Sequence, residues 1–315
     1  MPSAAAISDR TDEPGTALAR WYSPILWTNA MLQVLIIVTG GLVRLTGSGL
    51  GCPTWPQCTP GSYTPVRHQA QGFHKYIEFG NRTLTGVLLI AAVLALVAVM
   101  KHGARRHLVA KASIVLALIV VQAVLGGVTV LMGLHPATVA AHFLISAGLV
   151  AVATHLYLTR FEADGPTRTV VPPLVRQLAV ATCVVAGVVL ALGTVVTGSG
   201  PHSGDADTPA RFGFDPRTIS WLHADAVMLF IGLVAGTWIA VRLTRSDDSH
   251  AAGAWGAVLL VTLAQGVVGY TQYLTDLPWV LVLAHMLMAA LLVVALTRGM
   301  VALRARETAA GVRTG

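Results

Sequence analysis

Charge is scarce in this chain. Of 315 residues only 14 are Asp or Glu and 21 Lys or Arg, 11% in all, whereas a soluble domain carries about 25%. A soluble globular fold is excluded on that ground. Strand-like alternation is also missing, which excludes a membrane β-barrel. Only three cysteines are present, Cys52, Cys58 and Cys183, too few for a disulfide-built secreted scaffold. The first 20 residues mix Asp9, Arg10, Asp12, Glu13 and Arg20. They lack the basic start and short apolar core of a cleaved signal peptide.

What is there instead is apolar sequence: 55% hydrophobic residues and a mean hydropathy of +0.69. Runs long enough to cross a roughly 30 Å hydrocarbon core recur along the chain. They predict eight spans, near 25–43, 78–100, 108–133, 137–159, 174–197, 219–242, 254–274 and 278–303. With the N-terminus inside, the inner segments hold 15 of the 21 Lys and Arg residues, among them Lys101, Arg105, Arg106, Arg160, Arg242, Arg245 and Arg304. That bias predicts both termini in the cytoplasm of a plasma-membrane protein. It also accounts for the net charge of +7 without nucleic acid as a partner.

The chain repeats itself. Residues 38–49, VTGGLVRLTGSG, resemble 191–200, ALGTVVTGSG, and QAVLGGVTVLMGLHPATVAAHFLISAGLV at 122–150 resembles QGVVGYTQYLTDLPWVLVLAHMLMAALLV at 265–293. Such a repeat implies two similar halves. An even number of spans in each gives both halves the same orientation. The expected fold is an all-α membrane protein, eight transmembrane helices as two pseudo-symmetric four-helix bundles. The predicted organisation is a disordered cytoplasmic tail 1–24, a first bundle 25–160, a charged, Pro-rich linker 161–173, a second bundle 174–303 and a tail 304–315. A long outer loop, roughly 44–77, follows the first span. Its Cys52 and Cys58 are local and flanked by Pro53 and Pro56, which suits a disulfide; free thiols or a metal site are the other readings. Cys183, inside a span, reads as a packing residue.

Of eleven histidines, those in connectors and loops, His68, His74, His102, His107, His202 and His250, read as solvated, and His135 and His155 as interfacial. His142, His223 and His285 lie inside spans four, six and eight at similar depth. A lone buried histidine is more often a hydrogen-bonded core residue, but three at one depth in repeated segments point to a ligand role. The spacing from His223 to His285 predicts a fourth position near residue 81, which is Asn81. Two imidazoles on separate helices of a bundle suit the axial positions of a haem iron. Zinc would need two further Cys, Asp or Glu ligands, and spans six and eight offer only Asp225 beside the histidines. Glu78 lies one turn from Asn81 and shares its face, where the second half has Ser220. This acid either joins a reactive site in the first half or caps the helix. Arg82 is placed to pair with Glu78 or with a propionate.

With these residues in view, the chain resembles the haem A synthases, membrane enzymes that oxidise a methyl group of haem O to the formyl group of haem A. The resemblance runs from about residue 25 to about 300. It is carried by GGLVRLTGSGLGCPTWPQC, by IEFGNR, by the His142 and His285 segments and by His223. It implies haem B as a resident cofactor between His223 and His285, and haem O as substrate near His142 and Glu78. It also implies a functional acid at Glu78 and a role for the outer-loop cysteines in activity or haem transfer. At Asn81 the family usually has histidine, so the resemblance implies one-sided ligation by His142 or an incoming group such as Glu78. By pathway logic the haem O-forming farnesyltransferase is a candidate partner. The electron donor is unspecified, and lipid surrounds the whole. A cytochrome b-like electron carrier and a haem transporter are the rival readings. Asn81 and Glu78 count against the first, and the absence of Pro from mid-span positions against the second.

Overall fold

The computed structural model describes residues 17–162, 164–205, 209–244 and 249–306. Its helices are α1 Ala17–Leu45, α2 His74–Lys101, α3 Arg106–Leu131, α4 Pro136–Leu158, α5 Pro173–Ser199, α6 Pro216–Thr244, α7 Ser249–Leu274 and α8 Trp279–Ala302. All eight are long and apolar enough to cross a membrane. Local sequence sets several of their starts. Pro136, Pro173 and Pro216 are the first residues of their helices, where a missing N–H costs nothing. Asp215 caps α6: its carboxylate accepts from the Thr218 N–H at 2.8 Å and the Thr218 hydroxyl at 2.7 Å. Those bonds hold its carboxyl below the usual carboxylate range, as expected of a helix N-cap.

Within the first half α1 packs on α2 and α4, and α3 on α2 and α4; within the second α6 packs on α5 and α7, and α7 on α8. The halves meet where α4 and α8 face each other and where α1 touches α8 and α4 touches α5. Val34, Ile37, Ala147, Val150, Ala290 and Val293 form the seam. Each half also has its own apolar centre, around Trp255 and Phe230 in the second and around Tyr22, Leu26 and Leu156 in the first. The turns before α4 and α8 repeat in backbone detail. Gly133 and Leu134 (φ 58° and 58°) match Asp276 and Leu277 (φ 61° and 59°).

On the face carrying the long loop the halves are stitched together. The Gly49 N–H donates to the Gly204 carbonyl at 2.9 Å. Arg44 Nε donates to the His202 carbonyl at 2.6 Å and one terminal nitrogen to the Thr197 carbonyl at 2.9 Å. His202 Nε2 in turn lies 3.1 Å from the Leu277 carbonyl.

Two predicted boundaries are corrected on the opposite face. Helix α1 begins at Ala17, so part of the predicted tail 1–24 is helical. Tyr22 and Leu26 are buried there, and the Tyr22 hydroxyl donates to the Arg160 carbonyl at 3.0 Å. The predicted linker 161–173 and tail 304–315 are not separate segments. Thr167–Thr169 (β1) pairs antiparallel with Arg304–Arg306 (β2), and Glu162 binds Arg304 and Arg306, each at 3.1 Å. Of the charges that marked the linker, Glu162 thus finds its partners in the returning chain, and Asp164 lies 2.8 Å from His107 Nδ1 of α3. Residues 1–16 and 307–315 of the predicted tails, and Arg245, lie outside the described residues.

Candidate functional site

The site begins with helix register. His142 stands six residues after the first residue of α4, and His285 six after the first of α8. His223 stands seven after the first of α6, and Asn81 seven after the first of α2. The structure thus places Asn81 at the position matching His223.

Each imidazole lies against a glycine of the preceding helix. A Cβ on Gly126 would stand 3.4 Å from His142 Cε1, one on Gly193 3.3 Å from His223 Cε1, and one on Gly269 3.1 Å from His285 Cε1. A larger residue at the last two would push the rings away. The Nδ1 atom of each ring is buried without a well-aligned hydrogen-bond partner. The backbone carbonyls of Val189 and Gln265 lie beside the rings of His223 and His285; a carbonyl neighbour of this kind can orient a ligating imidazole. Gln122 steadies the backbone at His142, donating to its carbonyl at 2.8 Å and to the Ser146 hydroxyl at 2.5 Å. Among the described residues no group of three or more His, Cys, Asp or Glu is placed to hold a metal ion.

These features fit a haem between α6 and α8. His223 and His285, each backed by a glycine, are the residues that would hold its iron. The first half fits a haem from one side only. His142 is poised like His285, but opposite it Asn81 Oδ1 accepts a hydrogen bond from the Thr39 hydroxyl at 2.8 Å. An amide oxygen so engaged is a poor iron ligand.

Glu78 does not cap its helix, because α2 begins at His74 and Glu78 is its fifth residue. It is buried and fixed from two sides. The Cys52 N–H donates to Oε2 at 2.6 Å, and Arg82 donates to Oε1 from Nε at 3.0 Å and from a terminal nitrogen at 2.6 Å. Arg82 also donates to the carbonyls of Cys52 at 2.7 Å and Thr54 at 2.9 Å. Cys52 and Cys58 form a disulfide and are both fully buried, so the pairing expected from spacing holds. The long loop between α1 and α2 is thereby clamped onto α2 through the acid. Ser220, at the matching place in α6, only returns a hydrogen bond to the Pro216 carbonyl at 2.7 Å.

A cavity of about 320 Å³ joins these groups, with Glu78, Asn81, Arg82, Gln122 and His142 on its wall and Trp55 over it. Trp55 rests directly on Gly127, where any Cβ would collide with the indole. Gly127→Val is expected to displace the indole and lower turnover at this site about tenfold or more, as sub-ångström misplacement does, without changing pigment bound in the second half. Product yield and the absorption spectrum of one preparation check both.

Sequence reasoning missed four residues here. Trp55 was assigned no role, and only the contact with Gly127 gives it a place. Arg44 and His202 were treated as loop groups, yet they join the halves; the signal for Arg44 was a lone cation beside a repeated TGSG. His74, assigned no role, opens α2 and its Nδ1 lies 2.8 Å from the Ser48 hydroxyl.

Known proteins resemble this chain over most of its length. The haem A synthase of Lysinibacillus sphaericus (strain C3-41) is 28% identical over 287 residues, covering 87% of this chain and 91% of the relative. That of Halalkalibacterium halodurans is 28% identical over 261 residues, 79% of this chain and 83% of the relative. That of Bacillus licheniformis is 36% identical over 151 residues, 46% of each chain. The family description "Cytochrome oxidase assembly protein" (COX15-CtaA) matches residues 23–297. A match over so much of the chain, on a fold of eight membrane-spanning helices, makes this protein a member of the COX15-CtaA family.

Proposed function

We propose that this membrane protein is a haem A synthase, an enzyme that oxidises one ring methyl of haem O to a formyl group. The observation that carries the reading is the asymmetry of two otherwise matching sites. One has imidazoles on both helices, His223 and His285. The other has His142 facing an engaged amide and a clamped acid, Asn81 and Glu78. A carrier of electrons alone needs no such difference.

In this reading haem B, held by His223 and His285, supplies a relay for electrons. Haem O is the substrate of the first half. His142 binds it from one side and Gln122 holds that segment of α4 in place. Asn81, retained by Thr39, leaves the opposite side open. Glu78 takes up a proton as two successive two-electron oxidations give a hydroxymethyl group and then a gem-diol that loses water to the aldehyde. The oxygen atoms come either from water, with the electrons leaving through the relay, or from dioxygen, with reducing electrons entering through it. Arg82 and the Cys52 N–H keep the carboxylate aimed, and Trp55 with the disulfide loop shields the cavity from water. The Lys and Arg bias supports a loop face outside the plasma membrane and both termini in the cytoplasm. The farnesyltransferase that makes haem O is the natural neighbour for delivery.

Cells making haem O and this chain are expected to accumulate a formyl-haem, seen by chromatography of extracted pigments. Haem O alone, with the protein present and loaded with haem B, would reject the reading in favour of electron transfer.

A further inference from the structure

The first bundle contains polar groups that neither the fold nor the proposed ligands use. Asn29 and Gln33 lie one turn apart on α1, with relative exposures of 0% and 1%. Both atoms of both amides lack a protein partner. Inside a membrane protein such groups are costly to leave unpaired and are ordinarily satisfied by bound water.

Their position is defined by their neighbours. Ala30 packs with Leu149 and Ala153 of α4, and Val34 and Ile37 pack with Ala147 and Val150. Gln33 therefore sits about one helical turn from the level of Ser146, and Asn29 about 6 Å farther along the axis. Ser146 is bonded to Gln122 at 2.5 Å, and Gln122 to the His142 carbonyl at 2.8 Å. The remaining oxygen of Gln122 is likewise buried and unpaired. Polar groups thus run in file along the first bundle up to the segment that bears His142. At the other end the file is closed by Tyr22, Leu26, Leu108 and Leu156.

The second bundle provides the comparison. Matching the halves at Gly40 and Gly193, the latter under His223, sets Asn29 opposite Thr182 and Gln33 opposite Ala186. Matching His142 with His285 sets Ser146 opposite Ala289. Thr182 is fully satisfied, donating to the Leu178 carbonyl at 2.8 Å and pairing with Thr237 at 2.9 Å. At this level the second bundle has one paired hydroxyl, Thr182, and two alanines, Ala186 and Ala289. The bundle with the acid and the open ligand position carries two long amides and a hydroxyl.

We propose that Asn29 and Gln33 hold a group of bound water molecules that extends toward Ser146 and Gln122 and serves as the proton and water store for the reaction at the His142–Glu78 site. The assignment of a role rests on the function proposed above. Converting a methyl to a formyl group exchanges protons and water with the protein whether the oxygen comes from water or dioxygen. A store on the side away from the outer loop meets that need without opening the cavity beneath Trp55.

The test uses the full-length protein, loaded with haem B, in nanodiscs. Radiolytic labelling in water enriched in heavy oxygen marks side chains next to bound water. Residues 29–33 and 146–154 should be labelled several-fold above residues 182–186 of the same molecules. The double variant Asn29→Leu/Gln33→Leu should lose that excess, keep its haem B spectrum and make haem A at least tenfold more slowly. Asn29→Thr/Gln33→Ala, which copies the second half, should behave likewise and guards against a packing defect peculiar to leucine. Equal labelling of the two segments, as direct amide–amide pairing would give, overturns the proposal. So does wild-type haem A formation by a double variant that has lost the label. A wild-type protein that shows the labelling contrast but makes no haem A overturns the functional reading instead and leaves the hydrated site standing.

Discussion

Under the proposed function, His223→Ala and His285→Ala are each expected to strip the protein of haem B. Both rings are held by the backbone of a neighbouring helix at a glycine, Gly193 and Gly269, and neither makes a well-aligned hydrogen bond through Nδ1. Such rings add little to the fold, so the loss falls on ligand binding and not on folding. Even outer partners of a metal ligand are worth about 10–100-fold in affinity, and an axial ligand should be worth at least that. Purified variants should show less than about a tenth of the wild-type haem B per chain, with an unchanged helical circular dichroism spectrum. His142→Ala should leave this haem in place, because His142 belongs to the other bundle. Loss of haem B in the His142 variant, or its retention in either of the others, would reverse the assignment.

Replacing Glu78 has the second large effect. Glu78→Gln preserves shape and removes charge. The carboxylate now accepts from the Cys52 N–H and twice from Arg82, and an amide cannot accept all three bonds. A positioned general base contributes about 10²–10⁴-fold, so haem A formation should fall by on the order of 100-fold or more. Haem B, in the second bundle, should be unaffected. Glu78→Asp keeps the charge but shortens its reach, and should recover part of the activity if proton uptake, not loop anchoring, is the main role. A Cys52→Ser/Cys58→Ser protein makes the complementary comparison, since it loosens the loop while leaving the acid intact. Full haem A production by Glu78→Gln would remove Glu78 from the mechanism.

Much of this was legible in the sequence because a membrane simplifies the code. Hydrocarbon admits only long apolar helices, so eight spans followed from hydropathy alone; α1, α2, α5, α6 and α7 run past one or both predicted ends, whereas α3, α4 and α8 differ from them by one or two residues. The Gln-to-His repeat placed His142 and His285 at matching positions, and the histidine spacing singled out Asn81. What the sequence could not give was contact between segments far apart along it. The bond from the Cys52 N–H to Glu78, Trp55 on Gly127 and Arg44 reaching the carbonyls of Thr197 and His202 all join a loop to a helix or one half to the other. The pairing of 167–169 with 304–306 is hidden for the same reason. Three residues of strand within a charged linker carry no periodic signal. Asn29 and Gln33 were passed over because an amide in a span is ambiguous until its neighbours show whether it is paired.

The central claim is an asymmetry of iron ligation. It is tested most directly by electron paramagnetic resonance of the purified protein, first with haem B alone and then loaded with haem O, beside the Asn81→His variant. Wild-type protein should give one low-spin signal of two-imidazole ligation from the second bundle and a distinct signal from haem O held by a single imidazole. Asn81→His should convert the latter to the two-imidazole type. Two identical two-imidazole signals in the wild type, or no two-imidazole signal at all, would contradict the claim.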